Sequence, residues 1–188
     1  MPTLSVVISS TREQRGGESV ANWFVARARE HAKFELDVID LKTLGLPLLD
    51  EPNHPMKRQY QHEHTKAWSK TVAASDAFVF VVPEYNFAMP PALLNALDFL
   101  YHEWCYKPAA FVSYGGASGG MRSVQMCKQV LTSLKVMPIP EAVALPFYMK
   151  QRNAEGVFEP GDAPLKALTT MLDELLRWSN ALATMRTA

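Results

Sequence analysis

The stretch AFVFVVPEYNFAMPPALLNALDFL, residues 77–100, contains two elements and a joint. Residues 77–82 form an unbroken apolar run of β-branched and aromatic side chains, the pattern of a strand covered on both faces and therefore central in its sheet. The far end repeats Leu93, Leu94, Leu97 and Leu100 at helical spacing. Pro90 and Pro91 can open that helix, because its first turn has no use for the missing N–H. Between the two lie an acid, an aromatic ring and an amide, Glu84, Tyr85 and Asn86, which is more chemistry than a plain connection needs.

The same alternation continues on either side. Upstream, TLSVVI (3–8) reads as a strand, a helix from about Gly17 places Val20, Phe24 and Ala28 on one face, and FELDVIDL (34–41) reads as a second strand. A proline-broken loop, GLPLLDEPNHP, leads into a helix expected from about Met56 to Ala74, with Tyr60, Ala67 and Trp68 inward. Downstream, AAFVSY (109–114) is a strand, GGASGG its turn, Met121 to about Leu134 a helix, and EAVAL (141–145) a fifth strand. The closing helix, from about Pro164 to Met185, repeats Leu165, Leu168, Leu172, Leu175, Leu176 and Leu182. Strands alternating with helices predict an α/β protein built on a parallel sheet with helices on both faces. Five strands in this arrangement wind as 2-1-3-4-5, a flavodoxin-like three-layer sandwich whose ligands lie outside the carboxyl ends of the strands, where the strand order reverses.

At 188 residues the chain fits one such domain over its whole length, 1–188. Nineteen basic residues offset nineteen acidic ones, so no global field draws it to nucleic acid or to an anionic membrane. The two cysteines, Cys105 and Cys127, form no Cys-x-x-Cys pair and are too few for a disulfide framework, which suits a reducing compartment. With no basic leader before the first strand and no run of eighteen apolar residues, the expectation is a cytoplasmic protein that does not span a membrane.

Three chemically rich joints fall on the carboxyl edge of this sheet. SSTREQRGG (9–17) brings the hydroxyls of Ser9, Ser10 and Thr11 and the guanidinium groups of Arg12 and Arg15 to a helix start, where unpaired N–H groups favour an anion. The segment reads equally as a phosphomonoester cradle or as an ordinary cap with solvated arginines. It carries neither G-x-G-x-x-G nor the Walker pattern, which excludes a dinucleotide fingerprint and a P-loop. PEYN (83–86) is either a turn presenting backbone groups to the edge of a planar ring or a rigid joint in which Glu84 caps nearby N–H groups. SYGGASGG (113–120) holds four glycines that allow close backbone approach to a ligand.

Two further patterns are set aside. G-A-S-G-G matches the nucleophile elbow around Ser118, but that architecture needs a histidine after the serine, and all five histidines precede it. His62 and His64 are two apart in a helical stretch, do not share a face, and are expected in solvent rather than on a metal. The aromatic run FLYHEWCY (99–106) is read as an interface with a second subunit in preference to core, and Leu46, Pro47 and Leu48 as a wall of the site or as packing.

PEYN, LNALDFLYHEW and SYGGASGG, in this order, resemble the NADPH-dependent FMN reductase family of flavodoxin-like quinone and azo reductases, over nearly the whole chain. The family's first loop reads G-S-x-R-x-x-S, a residue, then Asn. Ser10 and Arg12 match it, while Ser9, Arg15 and Gly17 replace the Gly, the second Ser and the Asn. The resemblance implies bound FMN, with its phosphate on Ser10, Arg12 and Arg15 in the loop that also holds Thr11 and Gly17. It implies the ring system against Pro83, Glu84, Tyr85 and Asn86, with Ser113, Tyr114, Gly115 and Gly116 completing the cradle. NADPH or NADH is then a transient hydride donor, and a quinone, azo compound, flavin or similar small molecule the acceptor, the two alternating in one site. A homodimer or homotetramer is the implied assembly. The rival from another class, a flavodoxin-type electron carrier with no substrate of its own, is ordinarily strongly acidic, and this chain is neutral. A third reading, a scaffold that has lost its flavin and serves only as an interaction domain, predicts a colourless protein.

Overall fold

The computed structural model describes residues 1–186. Five parallel strands, β1 (Thr3–Ile8), β2 (Glu35–Asp40), β3 (Ala77–Pro83), β4 (Pro108–Tyr114) and β5 (Met137–Leu145), form one sheet in the order β2-β1-β3-β4-β5. The helices are α1 (Gly17–His31), α2 (Leu41–Leu44), α3 (Glu63–Ala74), α4 (Pro91–Asp98), α5 (Met121–Ser133) and α6 (Asp162–Arg186). The expected strand order and two-sided cover are both present.

The pleat divides the core in two. Leu4, Val6 and Ile8, with Val79, Val81, Ala110 and Val112, face α1 and α6 and meet Phe24, Leu168, Met171 and Leu172. Their sheet neighbours Val7, Phe78, Phe80 and Phe111 face the other way and meet Trp68, Leu93, Leu97 and Leu131 of α3, α4 and α5. This is the period-two alternation of a strand buried on both sides. The buried indoles of Trp68 and Trp104 each donate to a carbonyl, of Ala96 (2.9 Å) and Leu97 (3.2 Å), so neither leaves an unpaired N–H in the core.

Several boundaries differ from the sequence reading. The helix expected from Met56 is a single 3-10 turn, Pro55–Lys57, that Arg58 ends in a left-handed conformation (φ 52°), and α3 begins only at Glu63. Tyr60 therefore reaches the core from a loop, its hydroxyl donating to buried Glu103 (3.1 Å). β5 begins at Met137, four residues early, and tolerates Pro138 and Pro140 because it is an edge strand with a register irregularity opposite Ala109 and Phe111. The short α2, absent from the sequence reading, is capped by Asp40 and ended by Gly45 in the left-handed region. In the aromatic run, Phe99 and Trp104 are buried in the core, while Tyr101, His102 and Tyr106 are half-buried. In the loop before α3, Leu46 packs on the core while Leu48 is exposed, and Asn95 ties the segment down through Pro47 O (2.7 Å) and Leu49 N (2.9 Å). No helix among the described residues is long and apolar enough to cross a membrane.

Candidate functional site

The loops that follow β1, β3, β4 and β5 enclose a cleft of about 330 Å³ at the carboxyl edge of the sheet, where the strand order reverses between β1 and β3. Each loop brings a distinct piece of chemistry, beginning with the turn after β1. Ser9 donates both its backbone N–H (3.1 Å) and its hydroxyl (2.7 Å) to Val81 O, which fastens this turn to β3. Ser10 is fully buried, and its hydroxyl lies beside that of Tyr114 without a well-aligned hydrogen bond among the described residues. A Cβ placed on Gly17 would lie 2.3 Å from that hydroxyl and 2.5 Å from the hydroxyl oxygen of Tyr114. Ser10, Gly17 and Tyr114 thus converge at the start of α1, whose first N–H groups have no intrahelical acceptor. Tyr114 fills the space that an asparagine at position 17 would need, which accounts for the glycine there.

Arg15 lies across the underside of the loop. It donates to both carboxylate oxygens of Asp40 and to Ser10 O, and its side chain is nearly buried. The hydrogen bond from Arg15 holds the Asp40 carboxyl below its ordinary range, and the same bond raises Arg15. Arg15 therefore braces the loop against the end of β2. Arg12, by contrast, is exposed at the cleft and makes no hydrogen bond or ion pair among the described residues.

After β3, Tyr85 and Ala88 exchange backbone hydrogen bonds (3.0 and 2.9 Å) around Asn86 and Phe87, both with positive φ (51° and 72°). This is the hairpin turn that demands left-handed residues at both centres. The Glu84 side chain points away from the hairpin to the start of α5. It accepts from Ser118 Oγ (2.8 Å), Arg122 N (3.1 Å) and Arg122 Nε (2.6 Å). Burial opposes its ionisation, but the bonds from Arg122 and Ser118 prevail and hold its carboxyl below the usual range. The capping role is thus present, while Pro83, Glu84 and Tyr85 also line the cleft. Ser118, with its hydroxyl committed to Glu84, contacts no histidine and is not a nucleophile elbow.

After β4, Gly120 has φ 83°, and a Cβ there would come within 2.9 Å of Tyr114 N and O, so only glycine fits this return of the chain over the strand end. Gly115 N–H donates to Leu145 O (3.3 Å), whereas Gly116, which also lines the cleft, makes no backbone hydrogen bond through its N–H among the described residues.

Most of the expected site residues meet here. Arg12, Arg15, Pro83 and Glu84 line the cleft, as do Tyr85, Tyr114, Gly115 and Gly116. Asn86 lines a shallower groove that shares Arg12, Glu84 and Tyr85 with the cleft. Ser10 and Gly17 lie just beneath it, while Thr11 is exposed and lines neither space. Ser113 is buried on the opposite face of the sheet from Tyr114, its Cβ 3.0 Å from a Cβ placed on Gly120, with its hydroxyl unpaired among the described residues.

One wall is absent from the sequence reading. Phe147, Tyr148, Met149 and Lys150, after β5, close the cleft. The Tyr148 ring presses on Gly16, where a Cβ would lie 2.2 Å from it, and meets Tyr114 edge-on with centroids 4.9 Å apart. The signal was available: a β5 ending at Leu145 delivers PFYMK to the same rim. Burial keeps the phenols of Tyr114 and Tyr85 protonated beyond their ordinary range, so both remain neutral hydrogen-bond donors.

His62 and His64 are not separated as expected. His62 sits at the extended N-cap of α3 rather than within it, which stacks the two rings 5.2 Å apart above Asp50. Among the described residues no group of histidine, cysteine and carboxylate side chains could hold a metal.

Comparison with known proteins agrees with this geometry. The family model for NADPH-dependent FMN reductase matches residues 2–150. An NAD(P)H-dependent FMN reductase of Schizosaccharomyces pombe is 39% identical over 163 residues, covering 85% of this chain and 80% of that protein. An NADPH azoreductase of a Bacillus species is 32% identical over 142 residues, covering 74% and 75% respectively. Among solved structures, the flavoenzyme NAD(P)H:acceptor oxidoreductase FerB of Paracoccus denitrificans superposes with a TM-score of 0.73 over 96% of this chain and 98% of its own, at 22% identity, a likeness of fold. A two-sided parallel sheet of order 2-1-3-4-5, a cleft at its reversal point and this match over four fifths of the sequence lead to one conclusion: the chain belongs to the NADPH-dependent FMN reductase family.

Proposed function

We propose that this protein is an FMN-dependent NAD(P)H oxidoreductase that passes two electrons to a small acceptor such as a quinone, an azo compound or a free flavin. The observation that carries this reading is the buried Ser10 hydroxyl at the start of α1, which lies beside the Tyr114 hydroxyl without a well-aligned hydrogen bond among the described residues, with Arg12 unpaired at the cleft. A buried hydroxyl without a well-aligned partner is costly by about 1–3 kcal/mol, so the position calls for an acceptor from outside the chain. The residues present fit a phosphomonoester: hydroxyl, helix N-terminus and one unpaired guanidinium.

In this reading Ser10, Arg12 and the first N–H groups of α1 hold the phosphate. Arg15 acts as a positioning residue, fixing the loop through Asp40. Pro83–Tyr85 and Gly116 offer backbone groups to the ring system, and Tyr148 covers the joint between loop and helix. Bound FMN supplies the capacity to accept hydride from NAD(P)H and to release both electrons to an acceptor. No protein nucleophile is needed. The Gly116 N–H and the Arg12 guanidinium set a positive potential where negative charge must be borne, and the neutral tyrosines exclude water without adding charge.

The sequence carries no dinucleotide fingerprint that would mark a separate donor site, which favours donor and acceptor taking turns at one ring face. Steady-state kinetics with NADPH and menadione should give parallel double-reciprocal lines; intersecting lines would rule out alternation. Turnover by the purified protein alone separates this reading from an electron carrier, which would need a protein partner to oxidise NADPH.

A further inference from the structure

Position 87 breaks a local rule. The two centres of the hairpin turn both require positive φ, which asparagine accepts at position 86, whereas the second centre is normally glycine. A side chain with a Cβ in that conformation is disfavoured by about 1–2 kcal/mol. Phe87 occupies it all the same, with a ring that is 66% exposed, so burial does not compensate the strain. Among the described residues the ring is met by one cation. The Arg122 guanidinium carbon lies 3.7 Å from its centroid, and Arg122 is itself held on Glu84 through Nε (2.6 Å) and Nη2 (2.5 Å). A strained, solvent-facing aromatic ring backed by a pinned cation has the form of a platform awaiting a flat ligand.

Its location connects it to the site. The flanking residues Glu84 and Tyr85 line the flavin cleft, and Asn86, Ala88 and Met89 line the groove that shares Arg12, Glu84 and Tyr85 with it. Glu84 neutralises Arg122, so the platform has little net charge. It suits an uncharged flat ring better than a polyanionic dinucleotide. We infer that Phe87, backed by Arg122, is the stacking subsite for planar aromatic electron acceptors at the lip of the cleft. This rests on the oxidoreductase reading above. Phenylalanine offers no hydrogen bond, so the subsite selects by flatness and not by functional group, and an acceptor without a planar ring gains nothing from it.

The test compares menadione, a planar quinone, with ferricyanide, which has no ring to stack, in wild type, Phe87→Gly and Phe87→Trp. Phe87→Gly should raise KM for menadione by about threefold to tenfold, the range of one aromatic stack. KM for ferricyanide and for NADPH should move far less, and Phe87→Trp should restore menadione. Because glycine relieves the positive φ, the thermal midpoint of Phe87→Gly should hold or rise, which separates lost stacking from lost structure. An unchanged menadione KM, an equal rise for ferricyanide, or a changed oligomeric size on gel filtration, which would make the ring a subunit contact, overturns the inference. A wild-type protein that binds no FMN fails before any variant is made and overturns the underlying reading with it.

Discussion

Gly17→Ala probes the phosphate loop most sharply, because two opposing effects can be weighed. Gly17 opens α1 without a positive φ, so its backbone is open to alanine. At such a site the change ordinarily stabilises a protein by about 0.4–1 kcal/mol through the unfolded chain. Here the new methyl would stand 2.3 Å from Ser10 Oγ and 2.5 Å from the Tyr114 hydroxyl oxygen, where ordinary contact begins at 3.4 Å. Both neighbours are buried, and Tyr114 is wedged against Tyr148, so overpacking of about 1–3 kcal/mol should prevail. The net loss lowers the thermal midpoint by a few degrees, at about 2–4 °C per kcal/mol for a chain of this size. Displacing the Ser10 hydroxyl should also weaken FMN binding by about tenfold, the loss of one charge-assisted hydrogen bond. Gly116→Ala is the control for stability, since a Cβ there meets nothing within 4 Å. Thermal melts with and without FMN, and titration of FMN by fluorescence quenching, read both effects. A Gly17→Ala protein that is more stable than wild type and binds FMN equally well would refute the packing and the placement of the phosphate together.

Other expectations follow from the electrostatics. Asp40→Asn should cost about 1.5–3 kcal/mol at neutral pH by weakening the bonds to Arg15. Because the folded Asp40 is held below its unfolded value, this stability is present above about pH 4 and is lost as pH falls through the folded value, so chemical denaturation should show a flatter acid limb for the variant than for wild type. Lys107 is buried under Val72 O (2.7 Å), and burial lowers it from 10.5 to about 8. Between those values the unfolded chain binds more protons, so wild type should gain stability relative to Lys107→Met as pH rises across that window, measured by urea titration at each pH. Ser118→Ala should keep NAD(P)H oxidation and lose at most about 1 kcal/mol of stability from its bond to Glu84; loss of an esterase activity in this variant would revive the nucleophile elbow.

Residues 77–100 carried most of what could be read in advance. A strand apolar on both faces, next to a helix opened by prolines, implied a central parallel strand, and the winding rule then placed three unusual turns on one edge. The structure closes a cleft there. What escaped depends on contacts between distant residues. Arg15 and Asp40 are 25 positions apart, and nothing in either neighbourhood announces their pairing. PFYMK has no pattern of its own that marks a site, because its role comes from where β5 ends, and Pro138 and Pro140 hid that strand's true length. Tyr60 and Trp68 shared a helical period, but Arg58 turned the chain left-handed two residues before Tyr60 and the helix starts only at Glu63, after it. The histidine pair was misplaced because an N-cap residue is extended, so the helical rule for positions two apart does not apply to it.

The central claim is that the loops after β1, β3, β4 and β5 hold FMN and reduce it from NAD(P)H. Its most direct test is the visible absorption spectrum of freshly purified protein, taken anaerobically before and after stoichiometric NADPH. The account predicts a yellow protein whose band bleaches on NADPH and returns when menadione is added, with Ser10→Ala combined with Arg12→Ala losing the colour while remaining folded. A colourless protein that takes up no added FMN, or a bound flavin that NADPH leaves oxidised, would contradict it.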